Sequence, residues 1–459
     1  MVRMEDRGGG PRGARGRRRA ALSERDAIAA GWPEDDGRGV MMGILRRLLV
    51  GLRRQFRRLG LRVALYAALA VAVALAGALI APVMPAAFTG LIKPEAVMPV
   101  LDILASSMLA VSTFSLGVMV SAQNGASDRA TPRIHRLMLA DRTTQSVLAA
   151  FVGAFVYALT AILMFRTGLY PDEVAVLVMG VTIAVVVLVV VAMLRWIEHL
   201  SWLGSLDESM RIATEDARTS LANHARQPAL RAVPLTDDVV LPGSVTPVPA
   251  RDSGYVQFID VAAIEACLPG VSRAYVTRAP GRHVLAGQPL ALVSGQIGDA
   301  ALRGIADCFV TGQIRTSEQD PEFGIMTLSE TASRALSPGV NDPGTAIEAI
   351  ERLQTLLWDY ARDDAPAKPP RATRVFLPVP GADRLIEAAF GAIARDGAGV
   401  IEVAMELRRA LLTLAQSPNV AINEAARALS DHALDHAEAA LVLETEKERL
   451  RSVGKKTDA

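Results

Sequence analysis

Three groups of residues in this chain have types and spacings that could do chemistry. Asp102, Ser106, Thr113, Gly117 and Asn124 fall, at 100° per residue, within about a 60° arc, so one helix would carry them as a single polar stripe. Inside an apolar stretch such a stripe must avoid lipid. It could hydrogen-bond to neighbouring helices, with Gly117 allowing close approach, or line a wet path through an oligomer. Asp102 lies near the outer end, where a carboxylate is more easily hydrated, so a proton relay in midmembrane is not expected.

Arg315, Asp320, Ser337, Asn341 and Asp342 form the second group, a candidate cytoplasmic binding motif. Ser337, Pro338 and Gly339 should break a helix over Leu328 to Leu336, and Asp342 before Pro343 reads as an acidic N-cap with proline at the first helical position. The free amides there suit an anion or a partner's carboxylate, but the Asp342 side chain competes for them. Third, His432 and His436 stand four apart near Asp431, Asp435 and Glu438. That spacing can hold a metal only with a third ligand and an organised second shell, so a solvated helix face is expected and no metal site. Ser337 has no adjacent His or Lys, and the chain has neither a Walker sequence nor a Gly-rich strand-to-helix turn. A non-enzymatic protein without a cofactor is expected.

The elements that must position these groups follow from composition. Of 459 residues, 51% are hydrophobic, 21% charged and only 5% aromatic, which excludes a wholly disordered chain. The mean hydropathy of +0.28 comes from Ala, Val and Leu concentrated in segments. A net charge of +1 gives no case for a nucleic-acid partner. Cys267 and Cys308 match no zinc or redox spacing and read as reduced, structural thiols.

A span needs roughly 20 apolar residues to cross about 30 Å of hydrocarbon. Uncharged runs predict four spans, at about 63–82, 99–122, 145–165 and 174–195, within a transmembrane domain of 63–195. Arginines cluster before the first span (Arg46 to Arg62) and between the second and third (Arg129 to Arg142), whereas the other loops are short and nearly neutral. The expected localisation is therefore the bacterial inner membrane, multi-pass, with both termini cytoplasmic. Residues 1–40 should be a disordered tail, with Met41 or Met42 an alternative start, and 41–62 a basic amphipathic helix lying on anionic lipid. Trp196 is expected at the interface, in the aromatic belt.

Beyond the membrane the sequence suggests a juxtamembrane helix and Pro-rich linker over 196–253, with five prolines from Pro228 to Pro249. A small β-rich domain should occupy 254–327, with strands at Tyr255–Ile259, Ser272–Val276 and Val284–Val293. Pro280-Gly281 and Gly287-Gln288-Pro289 punctuate it like the turns of a barrel-sandwich fold of the biotinyl or lipoyl type. A covalent cofactor is excluded, because no lysine lies between Lys93 and Lys368. A helical and mixed domain over 328–451, with one last helix from Asn419 to about Arg451, and a disordered tail over 452–459 complete the layout. The fold class is thus a membrane α-helical bundle with four transmembrane helices, plus a cytoplasmic α+β region with a small β-rich subdomain.

Two motifs carry a family resemblance: Ala335-Leu-Ser-Pro-Gly-Val-Asn-Asp-Pro-Gly-Thr-Ala346 with the preceding Arg315 to Gly324, and Pro132-Arg-Ile with Asp141-Arg142 and Phe151 to Tyr157. Through them the chain, over about residues 60 to 440, resembles the bacterial membrane-protein family catalogued as domain of unknown function 2254. The resemblance implies a membrane bundle and a cytoplasmic domain but brings no activity or catalytic residue. The expected role is that of an integral membrane protein, a homo-oligomeric channel or transport-related assembly with a cytoplasmic regulatory domain. The alternative is a membrane-tethered sensor or scaffold that binds an unidentified cytoplasmic partner or ligand through Arg315 to Thr345.

Overall fold

The computed structural model describes residues 59–80, 92–129, 131–134, 142–200 and 205–454. The expected tail of 1–40, most of the interfacial helix of 41–62, the alternative starts and the end of the C-terminal tail lie outside the described residues.

Four apolar helices come first: α1 (Leu59–Ile80), α2 (Pro94–Arg129), α3 (Arg142–Arg166) and α4 (Ala175–Leu200). Among the described residues three stretches are long and apolar enough to cross a membrane, Pro94–Ser121, Thr143–Arg166 and Asp172–Leu200. The fourth expected span, at about 63–82, is not among them; within the 22-residue α1 the apolar run of the described residues is Val63–Gly77. Helix α3 is the hub, with 61% of its apolar window buried against 22% and 28% for the other two. Its Ala150, Ala154, Ala158 and Ala161 are buried, and Gly153 lets the backbone of α1 approach at Tyr66. Tyr157 ties α3 to α4 by donating to the Val178 carbonyl (3.2 Å), and its hydroxyl also meets that of Thr182 (3.1 Å). Trp196 departs from expectation. It falls in line with Val178, Val189 and Ala192 on the inward face of α4 and is buried in the bundle rather than standing in a belt.

Helix α5 (Leu206–Arg226) starts on an N-cap, in which the Ser205 hydroxyl accepts from the Glu208 amide at 3.1 Å. Its Met210, Ala213, Ala217 and Leu221 face a helical core that follows the apolar bundle in the chain. The proline-rich segment after it is no linker, because it supplies β1 (Ala232–Pro234) and β2 (Val245–Pro249). Prolines are tolerated there because both strands are edges of their sheet. The remaining strands are β3 (Gly254–Ile259), β4 (Ala274–Val276), β5 (His283–Val284), β6 (Pro289–Ser294), β7 (Phe309–Gly312) and β8 (Ala372–Leu377). They form a five-stranded sheet, β1-β8-β4-β6-β2, and a three-stranded sheet, β5-β3-β7. Strand β8 runs parallel to both neighbours, with Ala274 opposite Val375, and all other pairs are antiparallel. The β-rich unit therefore reaches beyond 254–327 at both ends. The expected strand Val284–Val293 divides in two at Gly287, whose φ of +83° makes the turn. Short helices α6 (Val261–Cys267) and α7 (Asp299–Ala306) pack beside the sheets.

The helical core is built from α5, α8 (Pro321–Ala335), α9 (Pro343–Ala361), α10 (Ala382–Ile386), α11 (Ala392–Asp396), α12 (Ile401–Leu414) and α13 (Val420–Ala440). A π turn, Glu387–Gly391, joins α10 to α11. Helix α8 begins at Pro321 on the Asp320 cap, seven residues before its expected start. The single last helix is also corrected: α13 stops at Ala440 and α14 (Glu444–Ser452) folds back, so that Leu450 is buried with Ala437 and Leu441.

Candidate functional site

The two halves of the predicted cytoplasmic motif sit at opposite ends of α8, whose 15 residues span roughly 22 Å. At the C-terminal end, Ser337 donates to the Arg334 carbonyl (2.6 Å), and Asn341 occupies the left-handed region at φ +49°. Asp342 caps α9, accepting from the Thr345 amide at 3.1 Å and from its hydroxyl at 2.6 Å. Those hydrogen bonds hold the Asp342 carboxyl below its ordinary range. This end is a helix–turn–helix joint whose polar groups satisfy one another.

The N-terminal end is different. Arg315 clasps Asp320, Nε to Oδ2 at 2.5 Å and Nη2 to Oδ1 at 3.0 Å, and its Nη2 lies 3.4 Å from Glu322. Arg384 of α10 holds the other side of Glu322, 2.7 Å from Oε1 and 2.8 Å from Oε2. Two glutamines fix the loop that carries this cluster. Gln257 donates to the Ile314 carbonyl at 2.7 Å, and Gln319 brackets the Ile259 backbone at 2.8 and 3.2 Å. Asp320 is 3% exposed and also caps α8. Burial works against the Arg315 charge, but bonding and attraction from Asp320 and Glu322 outweigh it and raise its pKa. Burial raises the Glu322 pKa, the Asp320 charge adds to this, and Arg282 and Arg315 oppose it.

This cluster closes one wall of a cavity of about 660 Å³ at the junction of the sheets and the helical core. The end of α5 contributes Ser220, Asn223 and His224. The strand ends contribute Phe258, Thr277, Leu377 and Val379, and the 279–282 turn brings Arg282. Burial lowers the His224 pKa to about 4, so the ring is neutral at pH 7, and it stacks on Tyr360 with centroids 6.1 Å apart. The hydroxyl of Ser220 donates to the Ser317 and Asp320 carbonyls at 3.0 and 3.1 Å. Ala229 and Leu230, which line the cavity, and Arg231 beside them all have positive φ, 49°, 55° and 68°. Three successive left-handed L-residues cost about 1–2 kcal/mol each, and such strain gathers at ligand sites and switches.

The same cluster touches the segment between α2 and α3. Phe323, at the start of α8, lies between Arg315 (5.7 Å from the ring centroid) and Arg133 (5.9 Å). Arg133 also forms an ion pair with Glu330, and Ile134 is fully buried in the helical core.

Of the polar stripe, Asp102, Ser106, Thr113 and Gly117 are exposed, and α2 packs inward through Leu101, Leu104, Met108, Ser112, Ser115 and Met119. Among the described residues, then, these four positions lie off the face by which α2 packs on other helices. Ser106 donates back to the Asp102 carbonyl (2.8 Å) and Thr113 to Ala110 (2.9 Å). The Asn124 side chain lies outside the described residues. His432 and His436 are exposed and line a shallow 340 Å³ cavity with Asp383 and Glu387. Among the described residues no three His, Cys, Asp or Glu side chains cluster as a metal site. Sequence reasoning reached Arg315 and Asp320 but missed Glu322, Arg384, Arg282, His224 and the inter-span contact. Glu322 stands inside the motif already singled out, whereas nothing local distinguishes the other side chains.

Relatives extend this picture. The chain is 28% identical over 279 residues to an uncharacterized protein of Mycobacterium bovis and to one of Mycobacterium tuberculosis, covering 56% of this chain and 51% of each relative. It thus spans about half the length of these curated relatives. No solved structure matches the chain. A family model described as predicted membrane protein (DUF2254) matches residues 57–413, most of both the apolar bundle and the α+β region after it, and the chain belongs to that family.

Proposed function

We propose that the protein is a non-enzymatic sensor in the bacterial inner membrane, whose cytoplasmic domain binds a ligand and passes its state to the membrane bundle. One observation carries this reading: the Phe323 ring, beside the cavity wall, carries both Arg315 of the cluster and Arg133 of the segment between α2 and α3. Ligand-dependent movement of the cluster would then be felt directly at two membrane helices. In this reading α1 is a fourth span, both termini are cytoplasmic, and copies of the chain associate in the bilayer.

Hydrogen exchange of the full chain in nanodiscs tests the coupling. Ile134→Ser should loosen 131–134 and accelerate exchange both in α8 and at the adjoining ends of α2 and α3. Faster exchange confined to 131–134 would refute it.

A second reading, permeation through an oligomer, is favoured by the outward-facing Asp102, Ser106 and Thr113. Polar groups on the outside of a membrane helix suit a shared water-lined axis better than lipid. Reconstituted protein should then conduct, and Ser106→Leu with Thr113→Leu should reduce the conductance. No conductance, or conductance indifferent to both changes, would remove this reading.

A further inference from the structure

We infer that the cavity beside the Arg315 cluster takes a small organic oxyanion, an apolar ring body bearing one phosphate or carboxylate group. This deepens the sensor reading and rests on it. A volume of about 660 Å³ falls within the range of sites that enclose a whole small molecule.

Available donors select the ligand. Three guanidinium groups, Arg282, Arg315 and Arg384, stand with three carboxylates, Glu318, Asp320 and Glu322, on and behind this wall. Arg315 is taken up by Asp320, and Arg384 by Glu322. Arg282 is exposed and lines the cavity, and among the described residues no carboxylate forms an ion pair with it. Glu318, the remaining carboxylate on the wall, is exposed to solvent. Arg282, whose charge acts on Glu322 without an ion pair, therefore presents a fork of hydrogen-bond donors suited to an oxyanion.

The rest of the wall suits a ring. Leu230, Phe258, Leu377 and Val379 supply apolar surface. Asn223 and Gln227 offer amide donors and acceptors at the end of α5, beside the neutral imidazole of His224. The left-handed turn at 229–231 joins α5 to β1, so an occupant resting on Leu230 bears on the helix that leads back toward the membrane.

Calorimetric titration of the full chain in nanodiscs tests the class with two pairs of probes. Adenosine monophosphate is compared with adenosine, and indole-3-acetate with its neutral alcohol, tryptophol; inorganic phosphate alone is the fifth arm. At least one anion should bind about tenfold more tightly than its neutral analogue, and than free phosphate where the anion is the nucleotide. Which pair responds identifies phosphate or carboxylate. Arg282→Gln, at an exposed position, should abolish that advantage without shifting the melting temperature. Equal binding of charged and neutral probes, or an advantage that survives Arg282→Gln, overturns the inference, and so does no binding of any probe up to about 1 mM. These outcomes are separate from the Ile134→Ser exchange result, which judges the sensor reading by itself.

Discussion

Gly281→Ala should be among the most damaging single-methyl changes in the α+β region. Gly281 has φ +83°, and a Cβ added there would collide with Asp320 Oδ2 and lie 2.9 Å from Arg315 Nε. The left-handed backbone alone costs an L-residue about 1–2 kcal/mol. The methyl must also drive a carboxylate that is 3% exposed away from its guanidinium. Breaking a buried pair costs about 3–5 kcal/mol, and the partial exposure of Arg315 reduces this to roughly 2–4 kcal/mol. Gly287 supplies the control, since it has the same φ of +83° and nothing within 4 Å of the place a methyl would occupy. Gly287→Ala should therefore show the backbone cost only. For an α+β unit of about 250 residues the difference corresponds to roughly 5–15 °C in melting temperature, read by tryptophan fluorescence in detergent. Equal melting temperatures for the two variants would refute the placement of the Arg315–Asp320 pair against this turn.

Because burial depresses the His224 pKa to about 4, the unfolded chain binds the extra proton between about pH 6.5 and 4. Stability should thus fall by up to about 3 kcal/mol as pH drops through that window, and His224→Gln should flatten this part of a urea-denaturation series. Asp342→Ala should cost about 1 kcal/mol through loss of the α9 cap, whereas Asn341→Gly, at φ +49°, should be nearly neutral; thermal melts of both variants check the joint. Gly324→Ala would put a methyl 2.6 Å from the Ala217 Cα, so α5 and α8 must separate, with an expected loss of about 1–3 kcal/mol in urea midpoint experiments.

The apolar runs are legible because lipid imposes a length and a polarity that a sequence cannot disguise. Their inward faces are not. Asp102 and Ser106 share a stripe, yet the side that packs carries Leu101, Leu104 and Met108, and only tertiary contact decides between two faces that are both compatible with hydrocarbon. Asp342 with Pro343 marks a helix start that the structure bears out, because capping is local chemistry. Asp320 with Pro321 has the same form, but the apolar pattern places the helix start later and hides the cap that also builds the ion-pair cluster. Arg384 and His224 come to the cavity from segments about 160 residues apart, a relation no local pattern contains. The prolines between Pro228 and Pro249 suggest a linker, and the edge positions of β1 and β2 explain why they are tolerated in a sheet.

Strand β8 lies between β1 and β4, although about 140 residues separate it from β1 along the chain. At typical elongation rates of 5–20 residues per second, a ribosome would take roughly 7–30 s to deliver it after β1 has emerged. During that interval β1 has no neighbour in its sheet and one edge of β4 stands open, while the apolar helices are already available for insertion. A nascent chain arrested before Ala372 would expose unpaired strand edges next to the bilayer, a natural mark for chaperones or proteases that police incomplete products.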